Sequence, residues 1–337
     1  MNNPVTILDV AAYAKVSPAT VTHALNGKRP VSEATRAKVL EAVRILGYVP
    51  SWSASRLKGK HSGILGCIAV DITENFVNQI VKGIERGLNC GEYSLFFVSA
   101  FEFGNDFRKA YEFLRGHQVD GILFCHHIPF GQELSLVDMR NSVPVVSINM
   151  AIPGMVSVIP DNYTGGYQAA EHLYSCGMRN PAIICGPEDR LSVRDRLHGF
   201  SDRVKELGLD LPEDACNYGS YDFEHGYKAA RIQMDRYPAT DGIFCANDYI
   251  AAGAITTLKE YHLEVPAQVR VLGFDNRDFS GFWTPSISTF EQPLQEMGFL
   301  GVGLLKNMIA TEYIPQEQYR LQSRLIPRQS TLGLTKN

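Results

Sequence analysis

Long apolar runs are missing from this chain. No stretch approaches 18 uninterrupted apolar residues, so a transmembrane helix is not expected. No apolar run of signal-peptide type stands at the N-terminus, and the expected location is cytoplasmic. No C-x-x-C pair occurs among the seven cysteines, which argues against a structural zinc site. Cys67, Cys125, Cys185 and Cys245 each lie in an apolar, strand-like run and read as small core residues. His126-His127 follows one such run, but no third metal ligand is evident. Signatures of catalysis are also missing. There is no G-x-S-x-G elbow, no P-loop lysine, no H-E-x-x-H and no strand-linked G-x-G-x-x-G. Neither an enzyme nor a cofactor-dependent protein is expected. The paired carboxylates of a glycosidase have a spatial spacing that sequence does not reveal.

What is present begins at the N-terminus. Thr6 to Asp9 open a helix with a hydroxyl cap and an acid three residues later. Ile7, Val10, Ala11 and Ala14 then form one apolar stripe. Lys15-Val16 makes a turn. Ser17 caps a second helix, with Pro18 at its first position, where the missing N–H costs nothing. Val21, Ala24 and Leu25 face inward, and Asn26-Gly27 stops the helix. This is helix-turn-helix geometry, whose second helix can lie in a DNA major groove. A third helix opens at Ser32, buries Val39, Ala42, Val43 and Leu46, and ends at Gly47. The alternative is a small helical bundle with no nucleic-acid role.

Charge separates these readings. The whole chain carries 32 basic and 36 acidic residues. Residues 1–60 hold nine basic residues against three acidic, a net of +6, which leaves −10 for the remainder. A positive front on a negative body directs phosphate binding to one end.

Between front and body runs a segment broken by Pro50 and ended by Gly59, long enough for a helix of about eight residues. So short a helix forms only when packed against something. Leu57, flanked by Arg56 and Lys58, suits a wedge in a minor-groove base step. An ordinary linker reads equally well.

From residue 62 onward strand and helix patterns alternate. Apolar runs fall at Ile64–Val70, Leu95–Val98, Gly121–Cys125, Val145–Ile148, Ala182–Cys185, Gly242–Ala246 and Val269–Phe274. Helical stretches such as Val77–Leu88, Tyr163–Tyr174, Val193–Leu207 and Tyr249–Glu260 intervene. Continuous apolar strands with helical crossovers indicate parallel sheets covered on both faces. Asp120-Gly121-Ile122-Leu123-Phe124-Cys125 is echoed by Asp241-Gly242-Ile243-Phe244-Cys245, as two similar doubly wound lobes would require. Ligands of such sheets sit beyond the carboxyl ends of the strands. Those ends carry Asp71, His126, Asn149, Asn247-Asp248 and Asp275. Arg190, Arg194 and Arg196 follow another strand, and an arginine fork can bind adjacent sugar oxygens or a carboxylate. Phe76, Tyr221 and Phe223 could supply an aromatic wall for the C–H faces of a sugar. Asn247 or Asp248 could instead cap a helix, and Asp275 could belong to a solvated turn.

The front motif, from Thr6-Ile7-Leu8-Asp9-Val10-Ala11 through Val16-Ser17, Thr20-Val21-Thr22 and Leu25-Asn26 to Gly47-Tyr48-Val49-Pro50, closely resembles the lactose-repressor/galactose-repressor family of bacterial transcription regulators. Arg196 to Phe200, Cys245 to Asp248 and Gly273-Phe274-Asp275 extend the likeness through the body. The resemblance implies an all-α helix-turn-helix headpiece over residues 1–49 and a hinge over 50–61. It implies an effector-binding and dimerisation body over 62–337, of periplasmic-binding-protein type. The N-lobe would span about 62–160 and 291–321, the C-lobe about 161–290 and 322–337.

By the same resemblance Pro18, Ala19, Thr22 and His23 face the bases, with Thr6, Ser17, Asn26, Arg29 and Tyr48 as further DNA contacts. Ala54, Arg56, Leu57 and Lys58 would serve the hinge. Asp71, Phe76, Asp161, Arg196, Tyr221, Asn247 and Asp275 would contact the effector. His23 stands where many relatives have arginine, and Ala54-Ser55-Arg56 shifts the usual hinge basic residue by one. The expected protein is a repressor binding a near-palindromic operator as a homodimer, or a dimer of dimers. A small sugar or sugar derivative would control it. A purine-like corepressor, or a cytoplasmic sugar-binding protein without a regulatory role, are the alternatives.

Overall fold

A computed structural model describes residues 5–26, 29–48, 61–71, 75–88, 92–125, 143–311 and 316–332, with the side chain of Asn26 outside that set. The hinge readings at Ala54, Arg56, Leu57 and Lys58, and the His126-His127 pair, lie outside the described residues. The chain divides into two compact units, residues 1–62 and 63–337.

The first unit holds α1 (Ile7–Ala14), α2 (Pro18–Asn26) and α3 (Glu33–Leu46). Each start obeys its capping chemistry. Thr6 donates from both its backbone N–H and its hydroxyl to the Asp9 carboxylate, at 2.7 Å each. Ser17 Oγ accepts from the Thr20 N–H at 3.1 Å, and Ser32 Oγ from the Thr35 N–H at 3.3 Å. Lys15 takes the left-handed turn conformation at φ 54°. The apolar stripes meet as the periodicity predicts: Val10, Ala11, Ala14, Val21, Val39 and Ala42 are buried together.

The second unit opens with β1 (Ile64–Ala69), α4 (Asn75–Leu88), β2 (Ser94–Ser99), α5 (Phe107–Gly116) and β3 (Gly121–Cys125). Next come β4 (Val145–Ile148), β5 (Val156–Pro160), α6 (Asn162–Ser175), β6 (Pro181–Ile184), α7 (Leu191–Glu206) and β7 (Cys216–Asn217). They are followed by α8 (Phe223–Arg236), β8 (Gly242–Cys245), α9 (Asp248–Glu260), β9 (Arg270–Leu272) and β10 (Thr289–Glu291). Last are α10 (Leu294–Thr311), β11 (Gln318–Leu321), β12 (Arg324–Ile326) and α11 (Gln329–Leu332).

Two parallel sheets result. The first has six strands in the order β11-β5-β4-β3-β1-β2, and the second has four in the order β7-β6-β8-β9. A short antiparallel pair joins β10 to β12. Both sheets are covered on both faces, which is why their strands read as unbroken apolar runs. In the first lobe one face packs on α4 and α10 through Ile80, Ile84, Met297 and Leu305, the other on α5 through Phe107, Tyr111 and Leu114. In the second lobe α8 and α9 cover one face, and α6 and α7 the other, around Phe200, Phe244 and Phe274. The four strand cysteines are core residues, each no more than 1% exposed.

The sequence echo is structural. Asp120 accepts the Gly63 N–H just before β1 at 2.6 Å, and Asp241 accepts the Arg179 and Asn180 N–H groups just before β6 at 2.8 Å each. Each aspartate ties the start of the neighbouring strand in its own lobe.

Candidate functional site

The exposed side of α2 carries Pro18 and Ala19, while Thr22 and His23 are half-buried. Thr22 donates its hydroxyl back to the Pro18 carbonyl at 3.0 Å, which leaves the hydroxyl oxygen only its acceptor capacity. The Thr6 and Ser17 hydroxyls serve the helix caps. Tyr48 packs against the headpiece core, and Arg29 is exposed.

In the body, the carboxyl ends of the strands converge on a cleft between the lobes. Its inner cavity has a volume of about 210 Å³. Phe76 comes from the first turn of α4, and Asn149 and Pro160 follow or end β4 and β5. Arg196, Tyr221, Asn247 and Asp275 come from the second lobe. An outer cavity of about 530 Å³ shares Phe76, Asp275, Arg277 and Gln292 with it.

Arg196 is the best-positioned of these. Helices α6 and α7 cross backbone on backbone, because Gly166 lies against the Arg196 carbonyl and Gly199 against that of Tyr163. A Cβ at either glycine would overlap an oxygen. This crossing sinks Arg196 to 6% exposure. Its Nε donates to Asn162 Oδ1 at 2.9 Å and its Nη1 to the Ala246 carbonyl at 2.5 Å. The guanidinium stacks 3.6 Å from the Phe274 ring centre, and Nη2 lies 3.9 Å from Asp275. Burial pulls its pKa down while Asp275 opposes the shift, and an arginine keeps its charge throughout.

Asp275 sits at φ 99°, a conformation few non-glycine residues adopt. Its Oδ1 accepts from Gln292 Nε2 at 2.5 Å. Backbone strain that packing upholds is characteristic of ligand sites. Asn247 caps α9, accepting the Ile250 N–H at 2.9 Å and donating to the Tyr221 carbonyl at 3.0 Å. The capping and lining roles thus coexist in one side chain. Burial raises the pKa of Tyr221. Behind the cavity wall, burial pushes the Asp248 carboxyl up to about 8, and Asp275 adds to the rise. Asp248 Oδ2 accepts the Arg277 N–H at 2.6 Å.

Phe76, Arg196, Tyr221, Asn247 and Asp275 of the expected set are brought together. Asp161 caps α6 through Thr164 at 3.1 Å, and its neighbours Pro160 and Asn162 line the cavity. Asp71, half-buried beyond β1, is not among the lining residues. Arg194 donates to the Glu188 carbonyl at 3.0 Å, away from the cavity. Phe223 packs near Trp283, with ring centres 6.3 Å apart. Pro160, Asn162, Ser192, Tyr249, Arg277 and Gln292 also line the cavity and are not among the residues that the sequence singles out. Ser192 and Arg277 were visible as neighbours of the chosen arginines and of Asp275. Gln292 gave no signal, since it arrives on a crossover between lobes.

The lobes also touch directly. Asn75 of the first lobe donates to both carboxylate oxygens of Asp278 in the second, at 3.1 and 3.0 Å. Among the described residues no cluster of three or more His, Cys, Asp or Glu side chains could hold a metal ion, and no helix is long and apolar enough to cross a membrane.

Comparison with known proteins agrees with this architecture. Residues 6–51 match the family of bacterial regulatory proteins termed lacI, and residues 170–331 match a periplasmic binding protein-like domain. The chain is 32% identical to the HTH-type transcriptional repressor PurR of Proteus mirabilis (strain HI4320), covering 96% of each sequence. It is 31% identical to the ribose operon repressor of Escherichia coli (strain K12), covering 96% of this chain and 99% of that one. A crystal structure of the Lac repressor dimer bound to operator and the anti-inducer ONPF superposes with a TM-score of 0.84 at 25% identity, covering 98% and 100% of the two chains. The chain therefore belongs to the lacI family of bacterial regulatory proteins, as a DNA-binding transcription regulator that responds to a small effector.

Proposed function

We propose that this protein is a repressor that binds a near-palindromic operator as a homodimer and releases it when a small sugar or sugar derivative enters the cleft. The observation that carries the reading is Arg196, buried, stacked on Phe274 and aimed beside Asp275 into a cavity of about 210 Å³. A guanidinium, a carboxylate and an amide beside aromatic faces match the hydroxyls and C–H faces of a sugar ring. The +6 front supplies the phosphate contacts, and Pro18, Ala19, Thr22 and His23 the base-reading face. A curated relative carries a sugar, ribose, in its name. The effector binds the two orientations of the lobes unequally, and that difference alters operator affinity. The protein performs no catalysis and works in the cytoplasm.

A gel-shift assay on DNA upstream of the gene, with and without candidate sugars and nucleobases, tests this. Arg196→Ala keeps operator binding and loses the ligand response. A retained response removes Arg196 from the site. With six or more phosphate contacts, operator affinity falls by roughly 10³ or more between about 50 and 200 mM salt; a flat salt response refutes the headpiece reading.

A further inference from the structure

The charges inside the cleft are unequal. Three ionised side chains line the inner cavity, Arg196, Asp275 and Arg277. One carboxylate thus faces two guanidinium groups, at 3.9 Å from each. Asp248 adds no second anion at neutral pH, because its carboxyl is pushed up to about 8.

Hydrogen-bond capacity is mixed: Gln292 Oε1, which also lines the cavity, is a buried acceptor without a partner among the described residues. Asp275 Oδ1 already accepts from Gln292, and Arg196 has committed Nε and Nη1 to protein oxygens. Arg277 is placed differently. Its guanidinium carbon lies 5.7 Å from the ring centres of Phe76, in the first lobe, and Tyr249, in the second. Aromatic faces orient a guanidinium plane without consuming its N–H groups. Its Nε is buried and meets no hydrogen-bond acceptor among the described residues. A buried donor without an acceptor is costly, so an occupant that supplies one is favoured. The site thus offers surplus positive charge, with an open donor at Arg277 beside the one carboxylate. A neutral sugar can serve the open donor and the open acceptor with its hydroxyls, but it leaves the excess positive charge unmet.

Size narrows the occupant. About 210 Å³ is below the usual range for ligand pockets, roughly 300–1,000 Å³, so the body that fits is ring-sized. Around the outer cavity Arg324 is paired with Glu291 at 2.6 Å, and outward growth then meets Asp278 and Glu296, which disfavour a bulky anion. We infer that the effector is a sugar acid, a monosaccharide-sized polyol bearing a carboxylate, and that Arg277 is the residue that selects it. The inference rests on the proposed function of the cleft and specifies its ligand.

The test is calorimetric titration of the intact protein with paired probes: glucose against glucuronate and gluconate, galactose against galacturonate, and glucose 6-phosphate. At least one acid binds tenfold or more tighter than its neutral parent. Arg277→Gln brings that acid and its parent within about threefold of each other, whereas Arg277→Lys, which keeps the charge without the fork, retains part of the preference. Equal binding of acids and parents, failure of every acid to bind, or a preference that survives Arg277→Gln overturns the inference while leaving the cleft as the effector site. Tightest binding by glucose 6-phosphate overturns the choice of carboxylate. Acid binding that Arg196→Ala leaves unaltered overturns the cleft reading as well.

Discussion

Replacing Asp248 by asparagine isolates the most perturbed carboxyl near the cleft. The side chain is fully buried at the first turn of α9, with Oδ2 on the Arg277 N–H and Oδ1 without a partner among the described residues. Its pKa rises from an ordinary 3.8 to about 8 in the folded chain. Between those values the folded protein holds a proton that the unfolded chain has released. Stability from this group is therefore full below about pH 4, falls as pH rises, and levels off above about pH 8. Each pH unit in that window removes about 1.4 kcal/mol, so pH 5 to 8 removes at most ~4 kcal/mol. Asparagine has nearly the same shape, stays neutral and loses nothing over that range. Urea unfolding at pH 5, 6.5 and 8, followed by Trp283 fluorescence in a Trp52→Phe background, compares the two proteins. The gap between Asp248→Asn and its parent should widen by several kcal/mol in favour of asparagine from the lowest pH to the highest. Parallel stability curves would show that Asp248 is ionised in the fold and that its burial is compensated.

Two further perturbations probe the frame of the cleft. Gly199→Ala drives a Cβ into the Tyr163 carbonyl and to 2.9 Å from the Tyr167 nitrogen, forcing α6 and α7 apart. Stability should fall by about 1–3 kcal/mol, as overpacking does, and effector affinity should fall with it because Arg196 rides on α7; an unchanged melting temperature contradicts the close crossing. Asn75→Ala removes the direct hydrogen bond between the lobes at Asp278. A loss of ~1 kcal/mol shifts the balance of lobe orientations about fivefold, readable as a change in the distance distribution between labels on α4 and α8, and an identical distribution refutes the latch.

How legible this protein is from its chain depends on the length scale of each signal. Strands buried on both faces read as apolar runs, so the cores of β1, β3, β4 and β8 lie within two residues of where the sequence places them. β5 was not singled out, and β10, β11 and β12 offer only three or four residues each, with partly exposed flanks on β11 and β12 that mimic loops. Capping residues such as Ser17 and Ser32 are local and were readable. Cavity residues are legible when they end a strand, as Asn247 does, or carry a recognisable motif, as Arg196 does. Tyr249 and Gln292 belong to the cavity only through the packing of the lobes, which no window of sequence contains. Arg277 stood in plain sight but read as part of a polar turn, because its aromatic neighbours Phe76 and Tyr249 are distant in the chain.

The glycine crossings carry a mechanical corollary. Gly83 with Gly298, Gly166 with Gly199, and Gly226 with Gly253 each let two helices of one lobe touch main chain to main chain. Such pairs have no compliant side-chain cushion, so neither helix can creep along the other to relieve a load. Work done by an arriving effector is then not dissipated inside a lobe. It emerges where the halves meet, and each half moves as a stiff lever.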